Sequence, residues 1–101
     1  MINKELTKSI LEAVDTNFSE QINYTKRLME FRSVRGNEQE AQNFVYNTLS
    51  DLNYEMDRWS IDISEIEEHP GFSPVNIDYS NAINVVGTHQ PTKAIGKSLI
   101  L

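Results

Sequence analysis

Residues 37–63 read NEQEAQNFVYNTLSDLNYEMDRWSIDI and change their hydrophobic period once, near Asn53. Before Asn53 the apolar positions recur at helical spacing, which predicts an amphipathic helix. They are Ala41, Phe44, Val45, Leu49 and Leu52. After Asn53 the segment 54–63 is rich in aromatic and branched residues with charges interleaved, which is typical of a half-exposed strand. The sequence therefore predicts a helix followed directly by a strand.

Capping residues predict where this helix begins and ends. Asn37 is followed three residues later by Glu40, which resembles a capping box at a helix start. Asn53 stands where a helix commonly ends in the left-handed conformation, which Asn tolerates better than any residue except Gly. We therefore expect the helix to stop at Asn53.

A longer apolar period lies upstream, from Lys4 to about Arg32. Its apolar residues step by four and predict either one amphipathic helix or two in succession. They are Leu6, Ile10, Val14, Phe18 and Ile22. Poor helix formers around Asn17 favour a break there in the second case. In both cases we expect the apolar face to pack on a core.

Downstream of the first strand the period is lost. Residues 64–81 contain Pro70, Gly71 and Pro74, which predicts a long irregular loop with 70–75 along the surface. Loops of this length are uncommon in compact domains unless they bind something or lie against a neighbour.

Two further strands are predicted after the loop. Residues 82–87 form the second strand, 88–96 a turn, and 97–101 a third, continuously apolar strand of the kind buried on both faces. We expect the helix stripe Phe44, Val45, Leu49 and Leu52 to pack on a sheet face that includes Val85, Leu99 and Ile100.

The order of elements predicts an α/β fold, with two or three helices followed by the first strands of a sheet. Because the chain stops inside an apolar run at Leu101, we expect residues 1–101 to be a single, partial, truncated domain.

Composition excludes several classes of function. Nine Lys and Arg against fifteen Asp and Glu give a net charge of −6, and there is no basic stripe, so we expect no nucleic-acid binding. The absence of Cys excludes disulfides and thiolate sites. Without a signal peptide or a long apolar span we expect no membrane association and a cytoplasmic location.

No site for chemistry emerges from spacing alone. His69 and His89 are the two imidazoles, twenty residues apart, and lack the tight spacing of zinc ligands. Nucleophile elbows and phosphate-binding glycine loops are missing from the sequence, and no pair of carboxylates is distinguished from its solvated neighbours. We therefore assign no catalytic, cofactor-binding or metal-binding residue within 1–101.

Three stretches together resemble the start of the acetylornithine deacetylase and succinyl-diaminopimelate desuccinylase group of the M20 metallopeptidase family. The first is FRSVRGNE at 31–38, similar to the family's Ile-Pro-Ser-Val-x-Gly-x-Glu. The second and most specific is HPGFSPV at 69–75, followed by DY at 78–79 and NVVG at 84–87. The third is GKSLIL at 96–101, which in the family runs into Asn-Gly-His-Ile-Asp.

The resemblance implies an α/β catalytic domain whose intact form is a hydrolase with two zinc ions, or cobalt, that acts on an N-acyl amino acid or small peptide. It also implies a homodimer formed through an inserted dimerisation domain, which residues 1–101 do not include. The family's first metal ligand would follow Leu101. The chain alone is thus expected to be inactive, to hold no tightly bound zinc and to self-associate.

A second hypothesis is a complete small acidic protein without catalytic activity. In this case the apolar helix stripe or an open sheet edge would bind a partner. The codons that follow Leu101 distinguish the two hypotheses.

Overall fold

A computed structural model describes residues 3–101 and shows a small mixed α/β fold, two helices followed by a two-stranded antiparallel sheet. Helix α1 spans Lys4–Met29, α2 spans Gln39–Asp51, β1 spans Glu55–Ser60 and β2 spans Ile83–Thr88. The chain divides into two compact units, one containing α1 and the other Arg32–Leu101. No helix within residues 3–101 has the length and apolar character needed to cross a bilayer.

The first helix is continuous, so the alternative with a break near Asn17 is wrong. Asn17 is accommodated because its side-chain amide donates to the carbonyl oxygen of Ala13 at 2.7 Å. The N-terminus is capped by Asn3, whose side-chain oxygen accepts from the backbone N–H groups of Glu5 at 2.9 Å and Leu6 at 3.4 Å. This cap replaces lost intrahelical bonds in the first turn.

The apolar stripe of α1 does not pack on a core as its period predicts. Its members remain between 38% and 57% exposed, and all of them lie on one side of the helix. They are Leu6, Ile10, Val14, Phe18 and Ile22. The periodicity correctly identified the helix, but periodicity says nothing about whether a covering layer is present.

The second helix begins one residue away from the predicted cap. Glu38 is the N-cap and its side chain makes no capping hydrogen bond. The prediction of a capping box formed by Asn37 and Glu40 is therefore wrong. The Asn37 amide instead donates to the carbonyl of Arg32 at 2.8 Å, and Glu38 Oε1 accepts from the Gly36 N–H at 3.0 Å. These side chains stabilise the preceding loop, which uses a left-handed Gly36 with φ of 89°.

The end of α2 is as predicted. Asn53 adopts a left-handed conformation with φ of 62°. Its N–H donates to the carbonyl of Ser50 at 2.9 Å, and the N–H of Tyr54 donates to that of Leu49 at 3.1 Å. These bonds satisfy carbonyls at the helix end and turn the chain directly into β1.

The two strands confirm the predicted strands at 54–63 and 82–87, with β1 shorter than expected. They pair in register from Glu55 opposite Thr88 to Ser60 opposite Ile83. Helix α2 lies against this sheet and contacts β2 more extensively than β1. At Gly87 there is no room for a side chain, because an added Cβ would lie 2.9 Å from Leu49 Cδ1.

The predicted packing of α2 is therefore confirmed only in part. Phe44, Val45 and Val85 are half-buried, whereas Leu52 is 61% exposed because it is the C-cap, beyond the last helical turn.

The prediction of a third strand at 97–101 is wrong. The segment is irregular, with Leu99 81% and Ile100 96% exposed. An apolar run needs a ladder partner and layers on both faces to become a buried strand, and residues 3–101 provide a helix on one face of a two-stranded sheet.

The long loop is irregular, as predicted. It contains one short 3-10 turn, Ile63–Glu65, and further turns, but no α-helix across 65–72. Asp62 and Asp78 each close a local turn by accepting hydrogen bonds from a serine two residues later. Residues 70–75 run along the surface, with Phe72 and Val75 half-buried.

Candidate functional site

The two histidines occupy separate environments and do not form a joint site. His69 Nδ1 accepts a hydrogen bond from the Gly71 N–H at 3.0 Å, which closes the turn at Pro70. The ring of His89 lies against Tyr54, with 5.8 Å between the ring centroids. Both side chains are exposed.

A two-zinc centre does not fit the residues that the structure describes. Within residues 3–101 no three His, Asp or Glu side chains approach closely enough to hold a metal ion. Zinc sites in proteins draw on three or four well-placed ligands. We therefore derive no catalytic step from residues 3–101, and the assignment of no catalytic or metal-binding residue stays a prediction.

Two carboxylates stand out electrostatically, and both act in local turns. The pKa of Asp62 is below its usual value of 3.8 because Ser64 donates both its hydroxyl and its backbone N–H to the carboxylate. Ser80 lowers the pKa of Asp78 in the same way. Hydrogen-bond donors that stabilise an ionised carboxylate make that carboxylate a weaker base. Neither Asp62 nor Asp78 is therefore suited to accept a proton near neutral pH.

One concave region, which we name the loop cleft, is formed by the long loop and has a volume of about 400 Å³. Its walls are mainly apolar side chains with two polar rings among them. They include Ile61, Ile63, Ile66, Phe72, His69 and Tyr79. The loop cleft thus brings together the 69–75 motif and Tyr79, which the sequence separates.

A second concave region, which we name the arginine cleft, lies between the start of α2 and the sheet and has a volume of about 360 Å³. Five of its six lining residues are uncharged, and the sixth is a cation. They are Gln39, Asn43, Trp59, Ser60, Ile83 and Arg58. The cleft contains no acidic lining residue although the chain carries a net charge of −6.

Arg58 is held in place from two directions. Its Nη1 donates to the side-chain oxygen of Asn43 at 2.9 Å, and its guanidinium carbon lies 4.4 Å from the centre of the Tyr46 ring. Asn43 and Tyr46 lie three residues apart on one face of α2, and the strand pairing places Arg58 opposite Val85. A hydrogen bond and a cation–π contact together restrict the position of a guanidinium group.

Arg58 does not stand out in the sequence, where it is one of several charges interleaved in the predicted half-exposed strand at 54–63. A signal was present: Arg58 shares its face of the strand with Met56, which is half-buried, since side chains alternate along a strand. The helix partner could not be identified without the register of α2 against the sheet.

Comparison with known proteins gives no match: no model of a protein family matches this sequence, and no curated protein does either. The resemblance to the deacetylase and desuccinylase group therefore depends on the motifs at 31–38, 69–87 and 96–101 alone. Part of the most specific motif lines the loop cleft, namely His69, Gly71, Phe72, Ser73 and Tyr79.

Proposed function

We propose that this chain is the N-terminal part of the catalytic domain of a two-zinc amidohydrolase of the acetylornithine deacetylase and succinyl-diaminopimelate desuccinylase type. The intact protein would be a cytoplasmic homodimer that removes an acyl group from an N-acyl amino acid or a small peptide. The observation that carries the proposal is the HPGFSPV motif at 69–75, followed in the family's order by DY at 78–79 and NVVG at 84–87.

The role proposed for these residues is structural. Helix α2 and the β1–β2 pair give the catalytic domain one helical layer and the first strands of its sheet, while the metal ligands would come from residues beyond Leu101. The order of helix, helix, strand, long loop and strand agrees with this role.

A second candidate function is a small acidic protein that binds a partner without catalysis. The observation that favours it is the half-exposed apolar stripe of α1, from Leu6 to Ile22, which offers an amphipathic helix face. In this case the motifs at 69–87 would be a chance resemblance.

Reading the codons that follow Leu101 in the gene separates the two candidates. The hydrolase proposal requires Asn-Gly-His-Ile-Asp or a close variant directly after Leu101, in frame or after a single frameshift. A stop codon followed by unrelated sequence in all three frames would overturn it and leave the binding protein as the better account.

A further inference from the structure

We propose that the arginine cleft binds a small organic carboxylate, with Arg58 as the residue that recognises it. No part of the amidohydrolase proposal assigns this site, and the two stand independently. The inference starts from the charge of the cleft, which is opposite in sign to that of the whole chain.

The first argument concerns how Arg58 is prepared for a ligand. A guanidinium has five N–H donors, and the bond from Nη1 to Asn43 uses one of them. The guanidinium carbon lies over the Tyr46 ring, 4.4 Å from its centre, which adds a cation–π contact. Because these contacts already restrict the side chain, less rotamer freedom remains to be lost when a ligand binds.

The second argument concerns the neighbouring groups. Gln39, Asn43 and Ser60 add amide and hydroxyl donors around the guanidinium, and Ile83 adds an apolar wall. Two acidic residues flank Gln39 in the sequence, Glu38 and Glu40, and neither lines the cleft. Glu38 Oε1 accepts from the Gly36 N–H at 3.0 Å, which engages that carboxylate with the preceding loop. The amide and hydroxyl groups of the cleft can donate hydrogen bonds to the oxygens of an anion, and Ile83 can contact its apolar part.

The third argument selects a carboxylate over a phosphate. One cation lines the cleft, so a ligand with a single negative charge is neutralised, whereas a phosphate dianion would keep an uncompensated charge. The planar fork of a guanidinium also matches a carboxylate through two parallel N–H···O bonds. The volume of about 360 Å³ admits a ligand of a few carbon atoms beyond the carboxylate.

NMR titration of the whole chain tests this proposal. The backbone amides of the lining residues Asn43, Trp59 and Ser60 serve as reporter signals. Sodium acetate is added at constant ionic strength, with inorganic phosphate in a parallel series. We expect saturable shifts at these signals with an acetate Kd on the order of 10 mM, and weaker binding of phosphate.

Three variants complete the test. R58Q should weaken acetate binding at least about tenfold, since it removes both the positive charge and the paired N–H donors of the guanidinium. R58K should weaken acetate binding about threefold or more, since it keeps the charge and loses the paired donors. K93Q makes the same charge change in the exposed segment beyond the other end of β2 and should bind as the native chain does. Circular dichroism checks that each variant is folded.

The proposal is overturned by shifts that stay linear up to 100 mM acetate, the highest concentration of the titration, or by equal affinities for native, R58Q and K93Q chains. Tighter binding of phosphate than of acetate would refute the carboxylate class. Undiminished binding by R58K would refute recognition through the fork.

Discussion

Replacing Gly87 with Ala tests the packing of α2 on the sheet, where Leu49 lies against the Gly87 backbone. An added Cβ would lie 2.9 Å from Leu49 Cδ1, 3.1 Å from Tyr54 Cδ2 and 3.3 Å from Met56 Sδ. The backbone of Gly87 lies outside the left-handed region, so Ala introduces no backbone strain there. The expected effect is thus one of side-chain overpacking.

The magnitude follows from two opposing contributions. Overpacking of a fitted contact costs about 1–3 kcal/mol. The lower conformational entropy of the unfolded Ala chain returns about 0.4–1 kcal/mol. The net change is thus bounded by about 0 and 2.6 kcal/mol. Because Leu49 Cδ1 is the end of a flexible side chain that can move, we expect G87A to lower the free energy of unfolding by about 0.5–1 kcal/mol.

Urea unfolding followed by far-ultraviolet circular dichroism measures this change, at a low concentration of the chain. G96A is the matched control, because a Cβ there meets nothing within 4 Å and its free energy of unfolding should be unchanged or raised. In an L49A background the cost of G87A should shrink, since the closest contact is gone. Equal stability of G87A and G96A, or an undiminished cost in the L49A background, would refute the close contact between α2 and β2.

Four further predictions follow from the described residues. N53A should lower the free energy of unfolding by about 1 kcal/mol because its φ of 62° disfavours Ala, and N53G should not; urea unfolding of both compares them directly. The pKa of Asp62 should lie below 3.8 and S64A should raise it, as NMR titration of the carboxyl group would measure. Because the folded pKa is lowered, the hydrogen bonds from Ser64 stabilise the fold at pH values above the unfolded pKa. This stabilisation is lost as the pH falls through the lower folded pKa. The 101-residue chain should bind no zinc at submicromolar affinity and hydrolyse no N-acetyl amino acid, and calorimetry showing stoichiometric zinc would contradict this. It should also self-associate through exposed apolar side chains, and sedimentation velocity showing only monomer across a tenfold range near 10–100 μM would contradict that.

Local chemistry allowed much of the fold to be predicted from the sequence. The left-handed Asn53, the helix before it, the strands around 55–60 and 83–88 and the irregular loop all follow from single-residue preferences and short periods. Such preferences act within a few residues and need no knowledge of the remaining chain. The prediction of a capping box is wrong because the side chains of Asn37 and Glu38 form hydrogen bonds within the preceding loop. Residue spacing alone does not show which of two competing local hydrogen bonds will form.

Features that depend on layers could not be predicted in the same way. The α1 stripe and the run Leu99 to Leu101 have the pattern of buried elements, yet they are exposed among the described residues. A hydrophobic pattern records what a segment can bury and not which segment covers it. The arginine cleft depends likewise on the register between α2 and the sheet, which joins Arg58 to Asn43 across fifteen residues of sequence.

If the intact protein is the two-zinc amidohydrolase that we propose, the product of the complete reading frame that contains this chain should hydrolyse N-acyl amino acids. The product is purified, loaded with zinc and assayed for release of free amine from a panel of N-acetyl and N-succinyl amino acids, with the 101-residue chain assayed in parallel. We expect turnover that a chelator removes and that zinc or cobalt restores, and none from the shorter chain. A folded, metal-loaded product without activity on any member of the panel, or activity that persists after the metal is stripped, would contradict the proposal.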